Sequence, residues 1–181
     1  MVVDLIRNHC LQKFILMMGI LFQANSHAAT STNFQINANI TNGCLINNTV
    51  LTNGASVGNL GALDFGSDSA LSTSTKVSTF LPANNFLLSC TPNVALTMRI
   101  NGGLTFMSTR HLKHQSTNTT IPYYLFSDSA RTQSIGLNQA ISVNTVISSA
   151  NINLPLYGRL TLPGNLIAGN YLDTLTVTLE W

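Results

Sequence analysis

The most chemically suggestive short motif in the chain is HLKH, in which His111 and His114 are three residues apart. Zinc would need further His, Cys or carboxylate ligands beside this pair. No other histidine follows residue 28, and Arg110 and Lys113 make the neighbourhood cationic, which disfavours a metal. The motif is therefore interpreted as a solvated loop or strand end, and neither a metal nor any cofactor is predicted.

Hydrolytic or phosphoryl-transfer chemistry would need a recognisable arrangement of reactive groups. The chain has no G-x-S-x-G elbow, no phosphate loop and no dinucleotide fingerprint. Its carboxylates beyond residue 28 are few and scattered: Asp64, Asp68, Asp128, Asp173 and Glu180. Asp128 and Arg131, within YYLFSDSAR, are interpreted as a turn with a partly buried ion pair. The sequence therefore predicts no catalytic residues and a protein that is not an enzyme.

The first 28 residues have the pattern of a secretory signal peptide. Two basic residues precede an unbroken apolar run at 14–22, and a more polar stretch then ends in small residues. The predicted cut lies between Ala28 and Ala29. The apolar run is too short to span a bilayer, which needs about 20 residues. An exported protein without a membrane span is therefore expected.

Composition restricts what the remaining residues 29–181 can be. Only 8% of the chain is charged and 45% is hydrophobic, with much Asn, Thr, Ser and Gly besides. A disordered chain would have fewer apolar residues and more charge, and a helical protein would have more Glu, Lys and Ala. Removal of the signal leaves six basic and five acidic residues, so nucleic acid is not an expected partner. A single domain over 29–181 is predicted.

The cysteine count becomes even once the signal is removed. Cys10 leaves with the signal, while Cys44 and Cys90 remain. An even pair in an oxidising compartment favours a disulfide, with two free buried thiols as the alternative. Closing a loop of about 45 residues would stabilise the fold by roughly 4 kcal/mol in the chain-entropy description.

The arrangement of apolar residues predicts strands throughout. Near the start, four apolar residues alternate with polar ones: Phe34, Ile36, Ala38 and Ile40. Further strands are predicted at 76–81, 85–90, 94–101, 104–109, 121–126, 139–147 and 154–161, many separated by Gly, Pro or Asn. About ten short strands in this length predict an all-β protein, an antiparallel β-sandwich.

The clearest strand is the last one, and the sequence ends inside it. One face carries four apolar residues: Leu175, Val177, Leu179 and Trp181. Thr and Glu occupy the other face, as expected of a half-buried strand. Trp181 belongs to the apolar face and would have to be buried. A strand of equal quality therefore lies near each end of the predicted mature chain.

Several motifs along the mature chain resemble those of the spore coat protein U family. They are LDFG at 63–66, LLSCT at 87–91, NGG at 101–103, YYLFSDSAR at 123–131, LYGRL at 156–160 and AGNYLDTLTVTLEW at 168–181. With the two cysteines, these motifs cover essentially the whole mature chain. Gram-negative members of that family are subunits of archaic chaperone–usher pili of the Csu type.

The resemblance implies an incomplete immunoglobulin-like sandwich that lacks its final strand. In such pilins a periplasmic chaperone first fills the open groove. The N-terminal strand of a neighbouring pilin then replaces the chaperone while an outer-membrane usher extends the fibre. Such pili are exposed on the cell surface and support adhesion and biofilm formation. The implied function is a shaft or adaptor pilin, with a tip-located adhesin that binds a surface or receptor as the alternative.

The resemblance also suggests roles for the two terminal strands. The donor strand is predicted at about 30–41, with Phe34, Ile36, Ala38 and Ile40 as its groove-filling residues. The acceptor groove is predicted to include the terminal strand, through Leu175, Val177, Leu179 and Trp181. The alternative for the N-terminal segment is the first strand of the chain's own sandwich.

Overall fold

The structure is a computed structural model that describes residues 31–146 and 151–181. Contacts divide the chain after Asn39. Residues 31–39 form neither helix nor strand and are exposed. Residues 40–181, apart from the gap at 147–150, contain twelve strands and no helix among the described residues. The predicted signal peptide, with Ala28 and Ala29, lies outside the described residues.

The strands are short and follow one another with few long connections. In chain order they are β1 (Cys44–Ile46), β2 (Gly61–Ala62), β3 (Thr75–Thr79), β4 (Leu81–Pro82), β5 (Leu88–Cys90), β6 (Leu96–Ile100), β7 (Arg110–His114), β8 (Thr120–Phe126), β9 (Ile141–Val143), β10 (Tyr157–Thr161), β11 (Tyr171–Leu172) and β12 (Val177–Glu180).

Two larger sheets and two strand pairs make up the architecture. One sheet has the order β11-β7-β8-β10-β3, and the other has the order β12-β6-β9. The pairs are β1 with β5 and β2 with β4. Every ladder between these strands is antiparallel. The predicted all-β, antiparallel class is confirmed.

Strict alternation of side chains positions the core between the two larger sheets. Along β6, Leu96, Met98 and Ile100 point inward and are at most 2% exposed. Along β8, in the five-stranded sheet, Ile121, Tyr123 and Leu125 also point inward and are at most 4% exposed. All six belong to one hydrophobic cluster, which is the arrangement of a β-sandwich.

Cys44 and Cys90 face each other across the β1–β5 ladder and form a disulfide. Both are 4% exposed, so the bond lies within the core rather than on the surface. The predicted pairing is confirmed. It joins β1, which begins next to Gly43, to β5, its partner strand.

Candidate functional site: the free edge of the last strand

β12 lies at the edge of the three-stranded sheet. It pairs on one side with β6, in the register Val177 with Ile100 and Leu179 with Met98. On its other side, no strand pairs with it among the described residues. An edge strand presents unpaired N–H and C=O groups, which form a template for another strand.

The apolar face of β12 is incompletely covered. Leu175, Val177 and Leu179 pack against the core but are only half-buried. Their cross-strand neighbours Met98 and Ile100 are 0% exposed. Burial is therefore complete at β6 and falls off at β12, which leaves an apolar strip along the free edge.

The sequence predicted that Trp181 is buried, and this prediction is wrong. Trp181 is 45% exposed, because it follows the end of β12, whose free edge no strand of the described residues covers. A methyl group added at Gly43 would lie 3.8 Å from its indole Nε1. The segment that leads into β1 therefore passes close to the end of β12.

The N-terminal segment carries the second half of the predicted site. Phe34, Ile36 and Ile40 are 81%, 83% and 93% exposed, and Ala38 is also exposed. No strand forms over 34–40 within this chain, although the alternation predicts one. Four apolar side chains that would share one face of a strand are thus exposed in this part of the chain.

The loop before β12 is held by a partly buried polar cluster that the sequence analysis missed. The Tyr123 hydroxyl donates to Asp173 Oδ2 at 2.7 Å, and the backbone N–H of Leu104 donates to Asp173 Oδ1 at 2.8 Å. Burial, and secondarily the bond to Asp173, raise the pKa of Tyr123 well above its ordinary value. Gly103, with φ of 82°, brings the loop against the Asp173 carboxylate. The aspartate of NYLDT therefore joins the loop that follows NGG to Tyr123 on β8.

One further prediction about this region is wrong and another is right only in part, since HLKH is the end of a strand, as one of its two expected placements had it. The predicted strand at 104–109 is a loop, and the strand lies at Arg110–His114 instead. The HLKH histidines are also not simply solvated, since His114 is 7% exposed and its Nδ1 accepts the backbone N–H of Thr117 at 3.1 Å. Among the described residues, no group of three or more His, Cys, Asp and Glu side chains is placed to hold a metal.

Asp128 and Arg131 do not form the predicted ion pair. Asp128 accepts backbone N–H bonds from Thr132 and Gln133, and the bond from Gln133 is the largest cause of its lowered pKa. Arg131 donates instead to the carbonyl oxygen of Gly158, at 3.2 Å. The two charges are used separately, because Asp128 binds backbone N–H groups of its own turn while Arg131 binds the Gly158 carbonyl in β10. The motif therefore closes a turn and ties it to β10.

A search of curated proteins gives no match. Among solved structures, the chain is similar to a chain of the CsuC–CsuE chaperone–tip adhesion subunit pre-assembly complex from archaic chaperone–usher Csu pili of Acinetobacter baumannii. The identity is 20% and the TM-score 0.42, over 78% of this chain and 40% of that chain. No helix in the described residues is long and apolar enough to cross a membrane.

The family comparison covers most of the sequence. The profile of the Spore Coat Protein U domain matches residues 30–178, which include Cys44, Cys90, Asp173 and the first half of β12. The match extends from the exposed N-terminal segment to within three residues of Trp181. The chain is a member of the Spore Coat Protein U domain family.

Proposed function

We propose that this protein is a structural subunit of a chaperone–usher pilus, assembled by exchange of a donor strand between copies or related pilins. One observation carries the proposal. Among the described residues, the apolar strand β12 has no partner on its free edge, and an exposed segment has the alternation of a missing strand. Strand addition uses main-chain hydrogen bonds for affinity and alternate side chains for specificity.

The two halves of the site match in number and spacing. β12 and its flanks present Leu175, Val177, Leu179 and Trp181, at every second residue. The donor segment presents Phe34, Ile36, Ala38 and Ile40, also at every second residue. Side chains on one strand face repeat at about 6.6–6.8 Å, so the two rows fit side by side along four positions.

A subunit with both a donor segment and an acceptor edge has a partner on each side. A head-to-tail contact of this kind produces a filament when it does not close into a ring. This supports a shaft or adaptor role rather than a tip adhesin. Before assembly the free edge would need another protein to cover it. Family membership supports a periplasmic chaperone in that role, with an outer-membrane usher at the point of assembly and a signal peptide at 1–28 for export.

The donor assignment is tested by charge on either face of the segment. Ile36→Asp would bury a carboxylate in an apolar groove, which costs several kcal/mol, about 4 or more on transfer scales. Gln35→Asp is the matched control, because it puts the same charge on the outward face. Both variants are expected to co-purify with the chaperone, and only Gln35→Asp is expected to give a polymer ladder on an unheated gel.

Two outcomes would contradict the proposal. If Ile36→Asp lost its chaperone as well, the segment would belong to the chain's own domain rather than to a neighbour. If Ile36→Asp polymerised as well as Gln35→Asp, the groove would be filled by some other segment. The role of the resulting pili in adhesion and biofilm formation is part of the same proposal and depends on the polymer forming.

A further inference from the structure

One end of the sandwich carries exposed apolar side chains on a firmly held loop. Leu104 is 81% exposed, Met107 61% and Phe106 41%. Leu137, 51% exposed, lies on the adjacent turn, where the N–H of Asn138 donates to the Ile100 carbonyl at 2.9 Å. These four apolar residues, Leu104, Phe106, Met107 and Leu137, are called the apolar pole below.

The backbone of this loop is fixed at the start of β12. The Asn101 N–H donates to the Thr176 carbonyl at 3.1 Å, and the Thr176 N–H donates to Asn101 Oδ1 at 2.9 Å. The Leu104 N–H is bound by Asp173. The ring of Phe106 lies directly over Gly102, where an added methyl group would collide with it. The apolar side chains of this loop are therefore exposed although its backbone is held by hydrogen bonds.

The two ends of β12 lie next to different parts of the subunit. Its beginning lies beside the apolar pole, through the bonds of Asn101 and Asp173. Its end, at Trp181, lies beside Gly43, which is the entry to β1. A strand added to β12 therefore runs from one of these ends to the other, and its direction decides which end the rest of the donating subunit approaches.

An antiparallel donor brings the next subunit to the apolar pole. Antiparallel pairing matches every ladder in the described residues and is slightly more stable per residue than parallel pairing. Phe34 would then lie beside Trp181, and Ile40 beside Leu175. Only three steps separate Ile40 from Gly43, and they reach at most about 11 Å. The Gly43 end of the incoming subunit must then lie close to the loop at Leu104.

We propose that the apolar pole is the seat for a second copy of this chain, which contacts it with the Gly43 end of its own sandwich. This inference rests on the proposed donor-strand assembly. It adds a second contact beside the groove, and it gives the exposed Leu104 and Met107 a partner. Parallel insertion would place the incoming Gly43 beside Trp181 instead and would leave the apolar pole uncovered.

The test uses the full chain assembled with its chaperone and usher, with photoreactive p-benzoylphenylalanine at position 104. Val77 is the matched control position, because it is 53% exposed but lies on the outer face of β3. After irradiation and heating, position 104 is expected to give covalent dimers. Fragmentation by mass spectrometry should show that the cross-link joins position 104 to a residue within 41–44 of the second copy. Position 77 should give no such bond.

Each other outcome overturns the inference. Bonds from position 104 to another protein, or to a different part of the second copy, would remove the proposed contact. A normal polymer ladder without a bond from position 104 would do the same while leaving the proposed function intact. Absence of any ladder in the wild type would instead contradict the proposed function, and with it this contact.

Discussion

At the residue scale, Arg110 shows how one charged side chain organises an end of the sandwich. It is 5% exposed, and its guanidinium donates to the carbonyl oxygens of Ile100, Asn101, Ile135 and Gly136. Burial lowers the pKa of Arg110 from its ordinary value, but arginine remains charged at any physiological pH. Its planar fork of donors suits several carbonyls at once, which a lysine ammonium cannot match.

Arg110→Lys is expected to lower the free energy of unfolding by about 3 kcal/mol, because buried carbonyls would lose charged donors. Arg159→Lys is the control, since Arg159 is exposed and its guanidinium lies over the ring of Phe126, at 4.8 Å. The control should change stability by less than about 1 kcal/mol. Urea unfolding of both variants beside the wild type measures this. Equal effects would show that the carbonyl contacts contribute little.

The raised pKa of Tyr123 predicts how stability depends on alkaline pH. The folded state holds the hydroxyl neutral, while the unfolded chain ionises near the ordinary tyrosine pKa of about 10. The stabilisation is therefore complete below about pH 10 and is lost as the pH rises above it. Tyr123→Phe should be less stable than the wild type at pH 8 but should lose less stability by pH 11. Parallel pH profiles of the urea midpoint would contradict this.

At the scale of elements, β12 was predictable from sequence and β7 was not. β12 has strict alternation of apolar and polar residues, so period alone identifies it. β7 contains Arg110 and His114, which look like surface residues. Both are buried because backbone groups satisfy their nitrogens, and a hydropathy pattern does not register such bonds. The apolar residues at 104–107 misled the prediction in the opposite direction, since Leu104 and Met107 are exposed.

The two rows of apolar residues at the candidate site could be read from the sequence, but their exposure in the isolated chain could not. Alternation placed Phe34, Ile36, Ala38 and Ile40 on one face, and the same pattern placed the apolar face of β12. Sequence could not show that 34–40 forms no strand within its own chain, because the period of a strand does not say which chain supplies its partner. It also could not show that Trp181 is left 45% exposed at a free edge.

The disulfide gives a prediction at the same scale. Intact-mass measurement of the mature protein under alkylation should show no added groups before reduction and two afterwards, because Cys44 and Cys90 are bonded. Two alkylated thiols in the unreduced protein would contradict the bond. A Cys44→Ser, Cys90→Ser double variant should lose roughly 4 kcal/mol of stability, from the entropy of a loop with sequence separation 46.

At the scale of the whole molecule, an uncovered edge strand and an exposed apolar segment make the isolated subunit prone to aggregation. Phe34, Ile36 and Ile40 are each more than 80% exposed, and β12 has a free edge. Expressed alone in the periplasm, the protein is expected to aggregate or be degraded, and co-expression with a periplasmic pilus chaperone, the proposed partner, should rescue it. The yield of soluble protein with and without the chaperone measures this. A stable soluble monomer without any donor would speak against an incomplete fold.

The most direct test of the proposed donor-strand exchange uses this chain in complex with its proposed chaperone and a synthetic peptide with the sequence of residues 30–41. Donor-strand exchange predicts that the peptide releases the chaperone and stays bound, since its four apolar residues would replace the chaperone along β12. A peptide with Gln35→Asp should act in the same way, while one with Ile36→Asp should not. Release is measured by size-exclusion chromatography. No release by the unmodified peptide, or equal release by the Ile36→Asp peptide, would contradict the account.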